Sequence, residues 1–157
     1  MTDARFEDGD EAPLRLIAQE AGDLPVIAAL LQDAVFPITE MRFDPKARRF
    51  ALLVNRFRWE DRVAAEAAKR PYERVRSLLV VDDVLRLRSS GIDRTDRDTV
   101  LSILTLDFTP GADGMGTLTL TLAGDGAIAI EVEAVNLRLD DVTRPYLAPS
   151  GKVPDHG

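Results

Sequence analysis

The clearest pattern in the chain is Thr117-Leu118-Thr119-Leu120-Thr121-Leu122, a strict polar–apolar alternation that puts Leu118, Leu120 and Leu122 on one face of a strand. Gly124-Asp125-Gly126 supplies turn chemistry, and the return strand sets Ile128, Ile130 and Val132 inward with Glu131 and Glu133 outward. Shorter apolar runs bounded by Pro, Gly and Asp predict further strands at 14–18, 38–43, 49–57, 73–81, 84–90 and 100–109. Asp44-Pro45-Lys46-Ala47-Arg48 is a turn with Pro at its second position, and Asp82-Asp83 bends or turns the chain between two strands. After Ala134 the apolar phase shifts to Val135, Leu137 and Leu139, which predicts a bulge or a closing helical turn.

One segment follows the helical period. Ile27, Leu30, Leu31 and Ala34 form an apolar stripe, Asp23 is placed to cap free amides ahead of it, Pro25 falls in the first turn, and Pro37 ends it. Residues 60–70 have high helix propensity and stop at Pro71, as a short surface helix or an ordered loop. The expectation is an α+β fold, mainly antiparallel β. It has about eight strands in a curved sheet or partly open barrel, with one or two helices packed on it. Residues 1–11 are expected to be a flexible N-terminal segment, 12–143 a single β-rich domain and 144–157 a C-terminal tail.

Composition mostly excludes. There is no cysteine, which removes thiolate nucleophiles and cysteine-based metal centres, and the single histidine, His156, lies one residue from the end. No catalytic residue, cofactor or metal is therefore assigned. Asp93, Asp96 and Asp98 form the densest carboxylate group, but their spacing lacks the glycine of a calcium loop and Arg94 and Arg97 interrupt it. Gly111–Gly116 is glycine-rich without a helix behind it, so it is a hairpin loop and not a phosphate cradle. No apolar run is long enough to span a bilayer, and the expected location is cytoplasmic, with no membrane partner.

The net charge of −7 is unevenly placed. Residues 1–41 carry two basic and nine acidic side chains, 42–88 thirteen and seven, and 89–157 five and eleven. The basic middle contains Phe50-Ala51-Leu52-Leu53-Val54-Asn55-Arg56-Phe57-Arg58-Trp59-Glu60-Asp61, which opens as a buried strand and ends as an expected exposed cluster of arginine, aromatic and acid. Arg49, Asn55, Arg56, Arg58 and Trp59 are the candidate ligand-binding residues: arginine offers a planar fork of donors to carboxylate or phosphate, and Trp59 a stacking surface. Extended geometry would put Arg56 and Arg58 on one face and Asn55, Phe57 and Trp59 on the other. The competing reading is an outer strand end whose arginines pair with Glu60, Asp61 and Glu73.

The Arg49–Glu60 run resembles a bacterial family of small cytosolic proteins classed as a domain of unknown function. Glu73-Arg74-Val75-Arg76-Ser77, Gly91-Ile92-Asp93, Leu101-Ser102-Ile103-Leu104 and Gly124-Asp125-Gly126-Ala127-Ile128 share the resemblance, which spans about 12–156. It implies genes often found beside that for histidinol dehydrogenase, and it implies no activity, substrate or catalytic residue. The functional expectation is an uncharacterised, non-catalytic binding or accessory protein for an acidic partner or small anion. The alternatives are an enzyme acting on an anionic metabolite through arginine and carboxylate, or a weak nucleic-acid binder, which the acidic total disfavours. An exposed edge of the Thr117–Val132 sheet would allow homodimerisation through it.

Overall fold

A computed structural model describes residues 13–147. The segment expected at 1–11, His156 and the tail beyond Leu147 lie outside the described residues. The chain forms the expected α+β architecture, a mostly antiparallel open sheet carrying two helices. Its strands are β1 (Arg15–Ala18), β2 (Val35–Pro37), β3 (Met41–Asp44), β4 (Arg49–Phe57), β5 (Glu73–Val81), β6 (Val84–Ser90), β7 (Val100–Pro110), β8 (Gly116–Leu122), β9 (Ala127–Val132), β10 (Leu137–Asp141) and β11 (Tyr146–Leu147). The helices are α1 (Leu24–Leu31) and α2 (Arg62–Ala67).

The strand order is β1-β10-β5-β4-β2-β7-β8-β9-β6, with β11 on β5 and β3 on β4. The ends do not meet, so the sheet curves without closing. β4 and β5 pair from Phe50↔Val81 to Phe57↔Arg74 and form the longest ladder of the first half. β7, β8 and β9 form the meander of the second half. β2 joins the halves, pairing Val35 with Asn55 on one side and Phe36 with Leu101 on the other.

The core lies where the inner rows of both halves face each other under α1. Leu52, Leu79 and Leu139 from the first half meet the same cluster as Leu118, Leu120, Ile128 and Ile130 from the second, all buried. Each such aliphatic side chain contributes roughly 1.5–3 kcal/mol of transfer free energy. The alternating β8–β9 hairpin thus buries the residues its pattern selects.

Several elements differ from the sequence reading for local reasons. The helix is shorter than its stripe: α1 stops at Leu31 because Asp33 takes a left-handed backbone (φ 64°), and Ala34 reaches the core by turning back, its N–H bonding Leu31 O at 3.0 Å. Asp23 does not cap α1. Its carboxylate accepts from the N–H groups of Gln19 and Glu20 at 3.1 and 3.2 Å, closing the preceding 3-10 turn. Ile38–Glu40 is a 3-10 turn, so only residues 41–43 of the strand expected at 38–43 are extended, and the strand runs on through Asp44.

The phase shift at Val135 marks neither a bulge nor a helical turn but the start of a new strand. β10 inserts between β1 and β5, with Leu139 opposite Leu79. Tyr146–Leu147, inside the segment expected to be a tail, adds β11 to β5. The neighbouring strands at 73–81 and 84–90 do not pair with each other; Asp83 (φ 58°) turns the chain so that β6 pairs with β9.

The two strands of the Thr117–Val132 hairpin are interior to the sheet. β8 lies between β7 and β9, and β9 between β8 and β6, so neither hairpin strand has a free side. Among the described residues the free ends are β1 and β6. β6 carries a register irregularity between Val84 and Arg86, and Arg86 and Arg88 stand over Glu131, charge and bulge being two devices that discourage edge-to-edge pairing.

Candidate functional site

The arginine-rich end of β4 folds inward. Phe50, Leu52, Val54 and Arg56 share the inner row of the strand, and Arg56 is fully buried. β5 brings Ser77 and β10 brings Asp141 to the same inner corner, because Asp141 pairs with Ser77 across the ladder. All five guanidinium N–H groups of Arg56 have acceptors. Nε donates to Ser77 Oγ at 2.9 Å, the two Nη atoms form a fork with Glu60 Oε1 and Oε2 at 2.9 and 2.8 Å, Nη2 also meets Asp141 Oδ1 at 3.0 Å, and Nη1 reaches Phe57 O at 3.4 Å. Asp141 is equally engaged, accepting from Ser77 Oγ at 2.6 Å and from Leu14 N at 2.9 Å. Burial opposes the charge on Arg56, but the bonds and attraction of Glu60 and Asp141 outweigh it and raise its pKa.

A second cluster adjoins it. Arg58 is 7% exposed and meets Glu73 at 2.5 Å and Asp61 at 3.6 Å, while Arg70 forks onto both Asp61 oxygens at 2.6 and 2.7 Å. The bonds from Arg70 hold the Asp61 carboxyl below its ordinary pKa against the opposing effect of burial. The pairing with Glu60, Asp61 and Glu73 weighed from sequence is therefore present, but inside the molecule and not on an outer strand end.

The other candidates are dispersed. β4 ends at Phe57 and Trp59 opens a 3-10 turn, so strand parity does not extend to Arg58 and Trp59. Trp59 packs edge-on to Phe57 (centroids 4.7 Å apart, 62°) and donates from Nε1 to Gln32 O at 3.0 Å, which pins the turn to the end of α1. Its ring is partly buried against the core, not set out as a platform. Arg49 is on the opposite, outer face with Nε on Asp82 Oδ1 at 2.7 Å, a bond that raises its pKa. Asn55 is also on the outer face, half-buried.

That outer face holds two further features. The first is apolar. Ala51 and Leu53 of β4 stand opposite Val80 and Leu78 of β5, and an open groove of about 320 Å³ runs along them between Glu40, Arg42 and Val142. Arg42, Arg49, Arg76 and Arg138 surround this floor. Arg49 and Arg138 are held near Asp82, whereas Arg42 and Arg76 have no ion-pair partner among the described residues. The signal was legible: Ala51–Val54 and Leu78–Val81 are unbroken apolar runs, the mark of strands apolar on both faces.

The second feature is polar. Arg74 donates from Nε to Asn55 Oδ1 at 2.6 Å and from Nη2 to Asn55 O at 3.1 Å, and Asn55 Nδ2 donates to Tyr146 Oη. Tyr146 is the cross-strand partner of Arg74, so the two side chains share one face. Burial dominates at Arg74 and lowers its pKa; the nearby Tyr146 and Asp33 oppose this without reversing it.

The remaining candidates are ordinary. Asp93 Oδ1 accepts from Thr95 N and Oγ1, which lowers the Asp93 pKa, and Asp96 closes a similar turn on Asp98 N. Among the described residues no set of three acidic or histidine side chains is arranged to hold a metal, and no helix is long and apolar enough to cross a membrane. Compared with known proteins, residues 14–156 match one family model, described as "protein of unknown function (DUF2948)". No curated protein and no solved structure matches the chain.

Proposed function

We propose, for a chain that belongs to the DUF2948 family of proteins of unknown function, a non-catalytic binding or accessory role directed at an acidic partner. The observation that carries this reading is the outer face of β3, β4, β5 and β10, an apolar floor surrounded by arginines of which Arg42 and Arg76 are not neutralised within the described fold. An apolar centre supplies contact area, and cations at the rim steer an acidic surface and fix its orientation. Arg49, a candidate from the sequence, belongs to this face. Arg56 and Arg58 support it from beneath by locking the end of β4, with Trp59 as the pin to α1.

An enzyme built on arginine and carboxylate would draw on the Arg56–Ser77–Asp141–Glu60 corner. Every N–H of Arg56 is already engaged there, so the binding reading is favoured. The mixed charge of the face and the net −7 of the chain disfavour nucleic acid. The resemblance adds to this reading a bacterial, cytoplasmic setting with genes often beside that for histidinol dehydrogenase, and names no partner.

The test is capture from native lysate by the tagged chain at low and high salt, beside Arg42→Glu/Arg76→Glu. The expected result is an acidic protein held by wild type at low salt, weakened by salt and lost in the double variant. Capture that is identical in the folded variant overturns the assignment to this face.

A further inference from the structure

We propose that Arg74, Asn55 and Tyr146 form a carboxylate-binding site on the outer end of β4, β5 and β11. The inference rests on the anion-binding reading above for its ligand class only, since it uses different residues and a different geometry.

The polarity of the site follows from donor and acceptor identities. A guanidinium can only donate, so the Asn55 atom facing Arg74 Nε at 2.6 Å must be its oxygen. The amide orientation is thereby fixed, and Nδ2 is the atom turned to Tyr146. Nδ2 can only donate, so Tyr146 Oη accepts, and its own O–H must point elsewhere. Arg74 Nη2 is taken by Asn55 O at 3.1 Å and Asp33 O at 3.5 Å. What remains is Arg74 Nη1 with two N–H groups and the Tyr146 hydroxyl, and neither has an acceptor among the described residues. The relay Arg74–Asn55–Tyr146 therefore ends in donors alone, on two residues that are direct cross-strand partners.

Among the described residues no side chain accepts from Arg74 Nη1 or from the Tyr146 hydroxyl. Arg74, Asn55 and Tyr146 are all half-buried, so water reaches them only in part. Asp33 is the acid that favours the charge of Arg74, but its influence is the smallest of those acting and leaves burial uncompensated. Two adjacent donor groups fit the two oxygens of a planar carboxylate, one on Nη1 and one on the hydroxyl. A tetrahedral phosphate would leave further oxygens without donors. The ligand is thus an acidic side chain or chain terminus of a partner, or a free small carboxylate.

The experiment is an NMR titration of the full chain with sodium acetate, using sodium chloride and sodium phosphate for comparison, read at Arg74 Nε–H and the Asn55 side-chain amide. Saturable shifts with acetate and not with chloride are expected, weakened roughly tenfold in Arg74→Lys, which keeps the charge and loses the fork. Tyr146→Phe should weaken acetate a few-fold while the amide of Asn55 still responds. Arg42→Glu should leave acetate binding unchanged. No saturation with acetate, equal response in Arg74→Lys, or a preference for phosphate overturns the site. If acetate binds at Arg74 but no acidic partner is captured through Arg42, the outer-face reading fails alone. If capture through Arg42 occurs without acetate binding, this inference fails alone.

Discussion

Arg56 and Arg74 sit on neighbouring strands, one turned into the core and the other out through the same sheet, and they show opposite ways of holding a charge. Arg56 is fully buried and boxed by Glu60, Asp141 and Ser77, so its charge is more than compensated. Arg74 is half-buried among an amide, a phenol and carbonyls, so burial prevails. A guanidinium with every donor engaged by its own fold is structural. One held in place by neutral groups, with donors left over, is available to something else. The contrast teaches that arginine content along a strand does not separate these roles; the partners do.

The largest effect that can break the contrast is at Arg56. Arg56→Met would leave Asp141, 5% exposed, without its counter-ion and Glu60 with Arg58 Nε at 3.9 Å, and is expected to cost about 3–5 kcal/mol in denaturant unfolding. A cost no greater than that of Arg74→Met would remove the distinction between the two residues. The second is acid sensitivity. The depressed carboxyl of Asp61 contributes stability that is whole above its ordinary pKa of 3.8 and is lost as pH falls through its lower folded value. Asp61→Asn should therefore flatten the fall in unfolding midpoint below about pH 4, as measured by denaturant titration at stepped pH. A curve parallel to wild type would show that the pair with Arg70 is not formed in solution.

Smaller effects sharpen the other side. Arg74→Met deletes an under-compensated charge and is expected to change stability by no more than about 1 kcal/mol while abolishing the acetate response. Tyr146→Phe removes a hydroxyl that accepts one bond from Asn55, and a loss of about 0.5–1.5 kcal/mol is expected in the same unfolding assay. If Tyr146→Phe proved more damaging than Arg56→Met, β11 and not the buried corner would be the main lock on this end of the sheet.

Much of the fold was legible because one face of each strand or helix decides its pattern. Leu118, Leu120 and Leu122 alternate and are buried as predicted, and Ile27, Leu30 and Leu31 keep the helical period. The misses occur where a backbone choice outweighs the pattern. Asp33 at φ 64° ends α1 early, and β10 is a strand because β1 and β5 offer it two ladders. The site was legible in its residue types and not in its directions. Asn55, Arg56 and Arg58 are close in sequence but Asn55 and Arg56 face opposite sides of the sheet, and Arg74 and Tyr146, which bond Asn55, lie 19 and 91 residues from it.

The sequence alone determined that apolar alternation would build a mainly antiparallel curved sheet or partly open barrel with a helix on it, and that the chain brings no thiol of its own, since those follow from local periodicity and from which atoms are present. Only the tertiary structure decided which arginines are occupied. A guanidinium is satisfied by acceptors within about 3 Å in space, and Asp141 reaches Arg56, and Tyr146 reaches Asn55, only through the order in which β10 and β11 join β5.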